Sequence, residues 1–272
     1  MSNLSLQNQT LLSISDLRFS YGFRESENLV IKSLSLTVGA GEIVSILGAS
    51  GCGKSTLLNL VAGLLSPKSG AIEFKARTTI SDNKPGKNPI GYIFQDDALF
   101  PWRSVRSNLM LVADLAKEVS VGSAQEKTRR YLKAFHLDEG ILSKYPSQLS
   151  GGMRQRVSII QTLMFDPDLL LLDEPFSSLD FFTKLSLEHE LYQLIKDQNK
   201  AAILITHDID EAIAVSDRVL IMAKGGDISQ EFKIDFGQEA RSPEDVRGTA
   251  QFAEYYHAVW SHLRTVIQER EV

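Results

Sequence analysis

The chain has 272 residues, of which 43% are hydrophobic and 23% charged, and its formal net charge is -5. This ordinary, mildly acidic composition excludes a fibrous or low-complexity protein. It also disfavours a nucleic-acid-coating protein, because phosphate contacts need a basic face. We therefore expect no nucleic-acid partner. The single cysteine, Cys52, excludes an internal disulfide.

Strand-like and helix-like segments alternate along most of the chain. Apolar runs that alternate or are rich in β-branched residues predict strands, and apolar residues at helical spacing predict helices. Their alternation predicts an α/β fold with a mostly parallel sheet. The expected fold class also includes an antiparallel β edge. Strands are predicted at 12–20, 29–38, 42–47, 71–75, 90–94, 169–173, 201–206 and 218–223, helices at 54–65, 151–165, 182–198 and 208–216, and loops at 22–28 and 81–89.

Residues 96–150 differ from the rest because they lack strong strand runs. They carry helical stretches at about 105–118 and 123–136. We therefore predict an α-helical subdomain over 96–150, inserted into a core that covers 12–95 and 151–240.

The tail, 241–272, is predicted to form an amphipathic helix that packs on its own domain or docks a partner. The residues of its apolar face are Phe252, Tyr255, Tyr256, Val259, Leu263 and Ile267.

No segment of the sequence predicts a membrane span. The longest aliphatic run, Leu169 to Leu172, is far shorter than the ~20 residues that cross a bilayer. The first residues carry no basic stretch before an apolar block, so no secretory signal is expected. These patterns predict a cytoplasmic location, with any membrane association made through a partner.

A glycine-rich loop between the third predicted strand and a predicted helix fits the pattern G-x-x-x-x-G-K-[ST]. Its backbone N–H groups and the helix N-terminus are suited to phosphate oxygens. Lys54 is expected to reach the β- and γ-phosphates, and the Ser55 hydroxyl to ligate Mg²⁺. The loop thus predicts the core of a P-loop NTPase. Its residues, the phosphate loop from here on, are Gly48, Ala49, Ser50, Gly51, Cys52, Gly53, Lys54, Ser55 and Thr56.

Two carboxylates, Asp173 and Glu174, follow a fully apolar predicted strand. Ligands of α/β sheets bind at the carboxyl ends of strands. Asp173 is therefore predicted to meet the Mg²⁺ shell beside Ser55, and Glu174 to polarise an attacking water near the γ-phosphate.

The stretch Leu149, Ser150, Gly151, Gly152 and Met153 resembles the LSGGQ signature of the ATP-binding subunits of ABC transporters, with Met153 where Gln is commoner. Further segments match that family in the family's order. They are Tyr21 as the adenine-stacking aromatic, Gln95 as the Q-loop glutamine and a metal ligand, Ser178 and Asp180 in the D-loop, and His207 as the switch histidine. The alternatives are purely structural roles: a helix cap for the signature, a helix-start residue for His207, a loop residue for Gln95 and a core residue for Tyr21.

The resemblance implies a homodimer that holds two ATP molecules head-to-tail, with Ser150 and Gly152 contacting the γ-phosphate of the other copy. It implies Glu174, His207 and Gln95 as the catalytic set, and ATP with Mg²⁺ as the ligands. One departure is Lys184, where relatives often have Arg.

The segment after Gln95 is similar to the subfamily that serves nitrate, sulfonate, taurine and bicarbonate importers, with the related riboflavin- and pyrimidine-type importers as the alternative. In the family this region receives the permease, so Phe100, Pro101 and Trp102 are implied docking residues; alternatively they cap the core of the insertion. The implied function is an ATPase that drives solute import at the cytoplasmic face of the inner membrane. Its implied partners are integral-membrane permease subunits and, indirectly, an external solute-binding protein. The alternatives are an ATP-gated dimerisation module and a soluble ABC ATPase not coupled to transport.

Overall fold

The computed structural model describes residues 10–22, 29–75, 90–115, 119–237 and 242–268. The chain divides into two compact units, one made of Met1–Lys75 with Tyr192–Val272 and the other of Ala76–Leu191. Apart from Gly22, the loops predicted at 22–28 and 81–89 lie outside the described residues. The predicted domain boundaries stay a prediction.

The first unit contains an antiparallel sheet and a set of mostly parallel strands. Its strands are β1 (Thr10–Ser20), β2 (Leu29–Gly39), β3 (Ile43–Leu47), β4 (Ser69–Phe74), β7 (Ala201–Ile205), β8 (Arg218–Met222) and β9 (Ile228–Lys233). The antiparallel sheet has the order β2-β1-β4. Strand β3 lies between β7 and β8, parallel to both, and β9 pairs antiparallel with β8. All five residues of β3 and of β7 are buried, as expected for strands covered on both faces.

The helices of the first unit are α1 (Lys54–Val61), α7 (Ile209–Val215), α8 (Pro243–Arg247) and α9 (Ala250–Gln268). The tail helix α9 packs on α7 and β9 and buries Phe252, Val259 and Leu263. The predicted apolar face is therefore used within its own unit, although Tyr256 and Ile267 remain exposed. None of the helices in the described part of the chain has the length and apolar character that crossing a bilayer requires.

The second unit joins two parallel strands to a group of short helices. Its strands are β5 (Ile90–Ile93) and β6 (Leu169–Asp173), and its helices are α2 (Val105–Leu109), α3 (Leu111–Leu115), α4 (Val121–Ala134) and α5 (Gly151–Leu163), with 3-10 turns at Glu139–Ser143 and Pro146–Gln148. Helix α6 (Phe181–Asp197) contains the division between the two units.

Two details differ from the sequence-based expectations. The single helix predicted at 105–118 is instead two short helices, α2 and α3, on either side of Met110. The edge strand β9 was not predicted, because Ile228–Lys233 is polar and mostly exposed. Its antiparallel pairing with β8 supplies an antiparallel edge to the parallel strands.

Candidate functional site

The phosphate loop connects the buried strand β3 to α1, as the sequence predicts. Gly51 and Gly53 have φ angles of 75° and 116°, a left-handed backbone that glycine adopts without strain. A Cβ on Gly48 would lie 2.5 Å from the backbone oxygen of Met222, at the end of β8. Glycine is therefore required here by two different constraints, conformation in the loop and close approach at its start.

Lys54 begins α1 and is largely buried. Its Nζ donates hydrogen bonds to the backbone oxygens of Gly48 at 2.8 Å and Ala49 at 3.2 Å. The ammonium is thus folded back over the loop that carries it, while Ser55 is exposed at the first turn of the helix. The side chain of Cys52 is buried, and its Sγ lies 4.0 Å from Lys54 Nζ.

Tyr21 follows β1 and contacts the phosphate-loop helix. Its hydroxyl lies 3.2 Å from Thr56 Oγ1, and its ring packs edge-on against Phe19 with the centroids 4.9 Å apart. The residue is 50% exposed, so it is not a core aromatic. The structure brings an accessible ring to the phosphate loop.

His207 lies between β7 and α7 and is exposed. The neighbouring Asp208 caps α7, because its Oδ1 accepts from the N–H groups of Asp210 at 2.9 Å and Glu211 at 3.4 Å. Asp208, and not His207, therefore starts the helix, which leaves the imidazole accessible at the carboxyl end of β7.

In the second unit, Asp173 ends β6 and Glu174 follows it. The Tyr92 hydroxyl donates to Asp173 Oδ2 at 3.2 Å. Burial, together with the adjacent Asp173 carboxylate, raises the pKa of Tyr92 well above its ordinary value, so the hydroxyl keeps its proton and acts as a donor. Glu174 has a φ of 49°, a left-handed conformation that costs a non-glycine residue about 1–3 kcal/mol. Such strain concentrates at functional positions.

The signature motif forms the start of α5. Ser150 is the N-cap, and its Oγ accepts from the Met153 N–H at 3.3 Å. The capping role considered for this motif is therefore real. Ser150 and Gly151 are also exposed, whereas Leu149 is buried. The helix N-terminus is accessible to a ligand from outside the unit.

Helices α5 and α6 are tied together next to the signature. A Cβ on Gly152 would lie 2.5 Å from Thr183 Cγ2. Further along, Arg156 makes two 3.0 Å hydrogen bonds to the nearly buried carboxylate of Glu190 and one to Ser186. Removing one partner of such an ion pair costs about 3–5 kcal/mol, so this pair holds α5 against α6.

The D-loop residues occupy the turn before α6, where Ser178 and Asp180 are exposed. Asp180 Oδ1 accepts from the Thr183 N–H at 3.1 Å, which caps the helix. Hydrogen bonds from Thr183 lower the pKa of Asp180. Because Thr183 packs on Gly152, the D-loop and the signature belong to one continuous surface.

Gln95 is exposed just after β5, and the loop that follows presents aromatic side chains. Trp102 is 71% exposed and Phe100 39% exposed, and their ring centroids are 5.4 Å apart. Pro101 between them is also exposed. Trp102 is thus too exposed to cap the core of the insertion, although Phe100 is partly covered by Arg103, whose guanidinium carbon lies 5.8 Å from the ring centroid.

Asn108 of α2 holds this aromatic loop in place. Its buried side chain accepts from the Phe100 N–H at 2.8 Å and donates to the carbonyls of Phe100, Arg103 and Ser104 at 3.1–3.2 Å. Neither Asn108 nor Tyr92 was predicted as a site residue. The signals present in the sequence were an Asn shortly after the Phe100–Trp102 segment and a Tyr on the strand before Gln95.

Comparison with known proteins gives one family. Residues 31–177 match the family model described as ABC transporter. YtlC, an uncharacterized ABC transporter ATP-binding protein of Bacillus subtilis, is 38% identical over 96% of this chain and 98% of its own length. The taurine import ATP-binding protein TauB of Yersinia pestis is 38% identical over 89% of this chain and 93% of its own.

Other relatives carry names of the predicted subfamily. Proteins named for nitrate and bicarbonate, from Synechococcus elongatus, and for aliphatic sulfonates, from Rhodococcus jostii, are 37% to 40% identical over 74% to 85% of this chain, and the alignments cover 31%, 30% and 86% of those proteins. These names agree with the predicted resemblance.

A solved structure confirms the predicted fold class. The ATP-binding cassette MJ0796, dimeric in a post-hydrolysis state and bound to ADP and Pi, matches with a TM-score of 0.71 and 28% identity over 84% of this chain and 100% of that one.

Proposed function

This chain belongs to the ABC transporter family, and from that premise we propose that it is the ATP-hydrolysing subunit of an importer for a small anionic or zwitterionic solute. The solute class, of the nitrate, sulfonate, taurine or bicarbonate type, follows the names of the relatives. The ATPase activity rests above all on one observation: the phosphate loop leaves β3 and enters α1 in the geometry that phosphate binding needs.

ATP binding uses the residues of the phosphate loop. The glycine backbone exposes N–H groups at the N-terminus of α1, where the helix dipole favours anions. Lys54 is positioned to exchange its two carbonyl partners, Gly48 and Ala49, for phosphate oxygens, which are better acceptors because the hydrogen bonds are charge-assisted. Tyr21 offers its half-exposed ring to the adenine.

The proposed metal ligands are Ser55, Gln95 and Asp173. Their hydroxyl, amide and carboxylate oxygens are the donors that Mg²⁺ prefers, and one or two carboxylates with substrate phosphates suffice. The described residues contain no group of three or more His, Cys, Asp or Glu that could hold a metal by themselves. When bound, Mg²⁺ supplies charge neutralisation on the β- and γ-phosphates.

Glu174 is the proposed residue that orients the attacking water, with His207 donating a hydrogen bond to the γ-phosphate and Gln95 assisting. The left-handed backbone of Glu174 is consistent with this role, because strained backbone conformations are common at functional sites. A protein that only dimerises on ATP has no use for this carboxylate.

We propose that two copies complete each other's sites. The exposed N-terminus of α5 at Ser150 is an anion site, and a second copy would supply the anion as the γ-phosphate of its ATP. The rigid connection between the signature and the D-loop through Gly152 and Thr183 supports one shared contact surface. ATP would then favour the closed dimer, and hydrolysis would release it.

The loop with Phe100, Pro101 and Trp102 is the proposed docking site for the membrane permease. Asn108 fixes the backbone of the loop that carries the exposed Trp102, which lowers the entropic cost of ordering the loop when a partner binds. Docking there would hold the chain at the cytoplasmic face of the inner membrane.

Two variants test the ATPase and the dimer. Glu174→Gln should bind ATP, lose hydrolysis and sediment as an ATP-dependent dimer, because binding and turnover use different groups. Lys54→Ala should lose nucleotide affinity and remain monomeric. Glu254→Gln, an exposed change on α9, is the control and should behave as the parent. ATP hydrolysis at the parental rate by Glu174→Gln would refute the catalytic assignment.

A further inference from the structure

Tyr92 contacts Asp173, one of the proposed metal ligands. It lies in β5, paired in parallel with β6, where Tyr92 is opposite Leu171 and Ile93 opposite Leu172. This register brings the Tyr92 hydroxyl to the end of the neighbouring strand, where it donates to Asp173 Oδ2 at 3.2 Å. We propose that Tyr92 is a positioning residue that orients the Asp173 carboxylate for Mg²⁺. The inference rests on the proposed role of Asp173 as a metal ligand.

The orientation of the Asp173 carboxylate depends on its hydrogen bonds. The carboxyl torsion of an aspartate is broad and roughly two-fold, so the backbone alone does not select one rotation. A hydrogen bond to Oδ2 fixes the plane of the carboxylate. Oδ2 accepts the hydrogen bond of the Tyr92 hydroxyl, and the carboxylate held in this way would serve as a ligand of Mg²⁺.

Tyr92 is itself held firmly enough to act as a reference. Its ring stacks on Phe94 with centroids 4.3 Å apart and planes 20° apart. The two residues are two positions apart on one strand, so their side chains lie on the same face. The side chain is only partly exposed, and the stack restricts the ring while the hydroxyl reaches Asp173.

The size of the effect follows from metal sites in general. Removing a group that hydrogen-bonds to a metal ligand lowers metal affinity or activity by about 10–100-fold. Tyr92 touches neither the nucleotide nor the metal in this proposal. Its loss should therefore change the dependence on Mg²⁺ and spare metal-free nucleotide binding, a combination that general loosening of the fold does not produce.

The test measures the binding of a fluorescent ATP analogue by the full chain, with excess EDTA and in a Mg²⁺ titration. Tyr92→Phe keeps the ring and its stack on Phe94 but removes the donor. We expect unchanged affinity in EDTA and a half-saturating Mg²⁺ concentration about tenfold above that of the parent. Tyr92→Met, which also lacks the donor, should give the same shift. Tyr256→Phe, a change on the exposed side of α9, should give none.

The outcomes separate this inference from the proposed function. If Asp173→Asn abolishes the Mg²⁺ dependence while Tyr92→Phe matches the parent, the positioning role is wrong and the metal role of Asp173 stands. A shift in Tyr92→Met alone assigns the effect to ring packing and also overturns the inference. If Asp173→Asn responds to Mg²⁺ as the parent does, the ligand assignment fails, and the inference fails with it.

Discussion

Replacing Asn108 with Ala removes a buried side chain that accepts one hydrogen bond and shares the two hydrogens of its Nδ2 among three carbonyls. Counted as three bonds at about 0.5–1.5 kcal/mol net each, the loss lies between about 1.5 and 4.5 kcal/mol. The lower part of that range applies, because the exposed Phe100 and Trp102 place the loop at the surface, where water can replace lost hydrogen-bond partners. We expect a loss of about 2–3 kcal/mol in the free energy of unfolding, and a fall in Tm of about 4–10 °C.

The assay is calorimetry of the full chain, with urea unfolding as an independent measurement. Trp102→Ala is the matched control: it deletes a largely exposed side chain from the same loop and should leave Tm nearly unchanged. If Asn108→Ala has the same Tm as Trp102→Ala, the hydrogen bonds of Asn108 contribute nothing to stability, and this reasoning is refuted.

Transport measurements on Asn108→Ala and on a double variant of the aromatic loop separate the ordering of this loop from its proposed role in docking. Phe100→Ala with Trp102→Ala should keep ATP-dependent dimerisation and weaken transport in cells that contain the native permease. Asn108→Ala should weaken transport as well, although both aromatic side chains are still present, because their loop is no longer held. Undiminished transport by the double variant would exclude the docking role.

Lys184→Arg should raise the free energy of unfolding by about 0.5–1 kcal/mol. Lys184 Nζ lies 3.8 Å from the buried Glu188 carboxylate, and a guanidinium can reach that carboxylate with two donors. A lower Tm of the variant would contradict this. Hydrogen bonds from Thr183 lower the pKa of Asp180 below 3.8, so its stabilisation is present above that value and lost as pH falls through the folded pKa. The Tm difference between the parent and Asp180→Ala should therefore close in acid, and a difference that persists there opposes the assignment. Cys52→Ala should keep ATP affinity in a fluorescence titration, and a large loss would give the thiol a role.

The features predicted best from sequence are those that neighbouring residues determine. The phosphate loop needs only a buried strand, glycines and a helix start, and all are contiguous from β3 to α1. The same holds for β6 and its terminal carboxylates. Hydrophobic pattern and turn chemistry agree in these segments, so the local sequence specifies the structure.

The features that sequence did not predict depend on contacts between distant residues. The Tyr92–Asp173 bond joins residues 81 positions apart, and it requires the register of β5 on β6. Asn108 is close in sequence to its partners and lies in a predicted helix, but its bonds to Phe100, Arg103 and Ser104 depend on the path of the loop before α2, which the sequence pattern does not define. Strand β9 is exposed and polar, so only its pairing with β8 defines it.

The backbone at Glu174 sets two demands of the protein against each other. Glycine, or to a lesser degree asparagine, would occupy its left-handed conformation more comfortably than glutamate. A variant that need not hydrolyse ATP would gain stability by exchanging Glu174 for one of these residues and would keep the same fold. In the proposed function, the exchange that would end ATP hydrolysis at this position is thus also the one that would relieve its strained backbone.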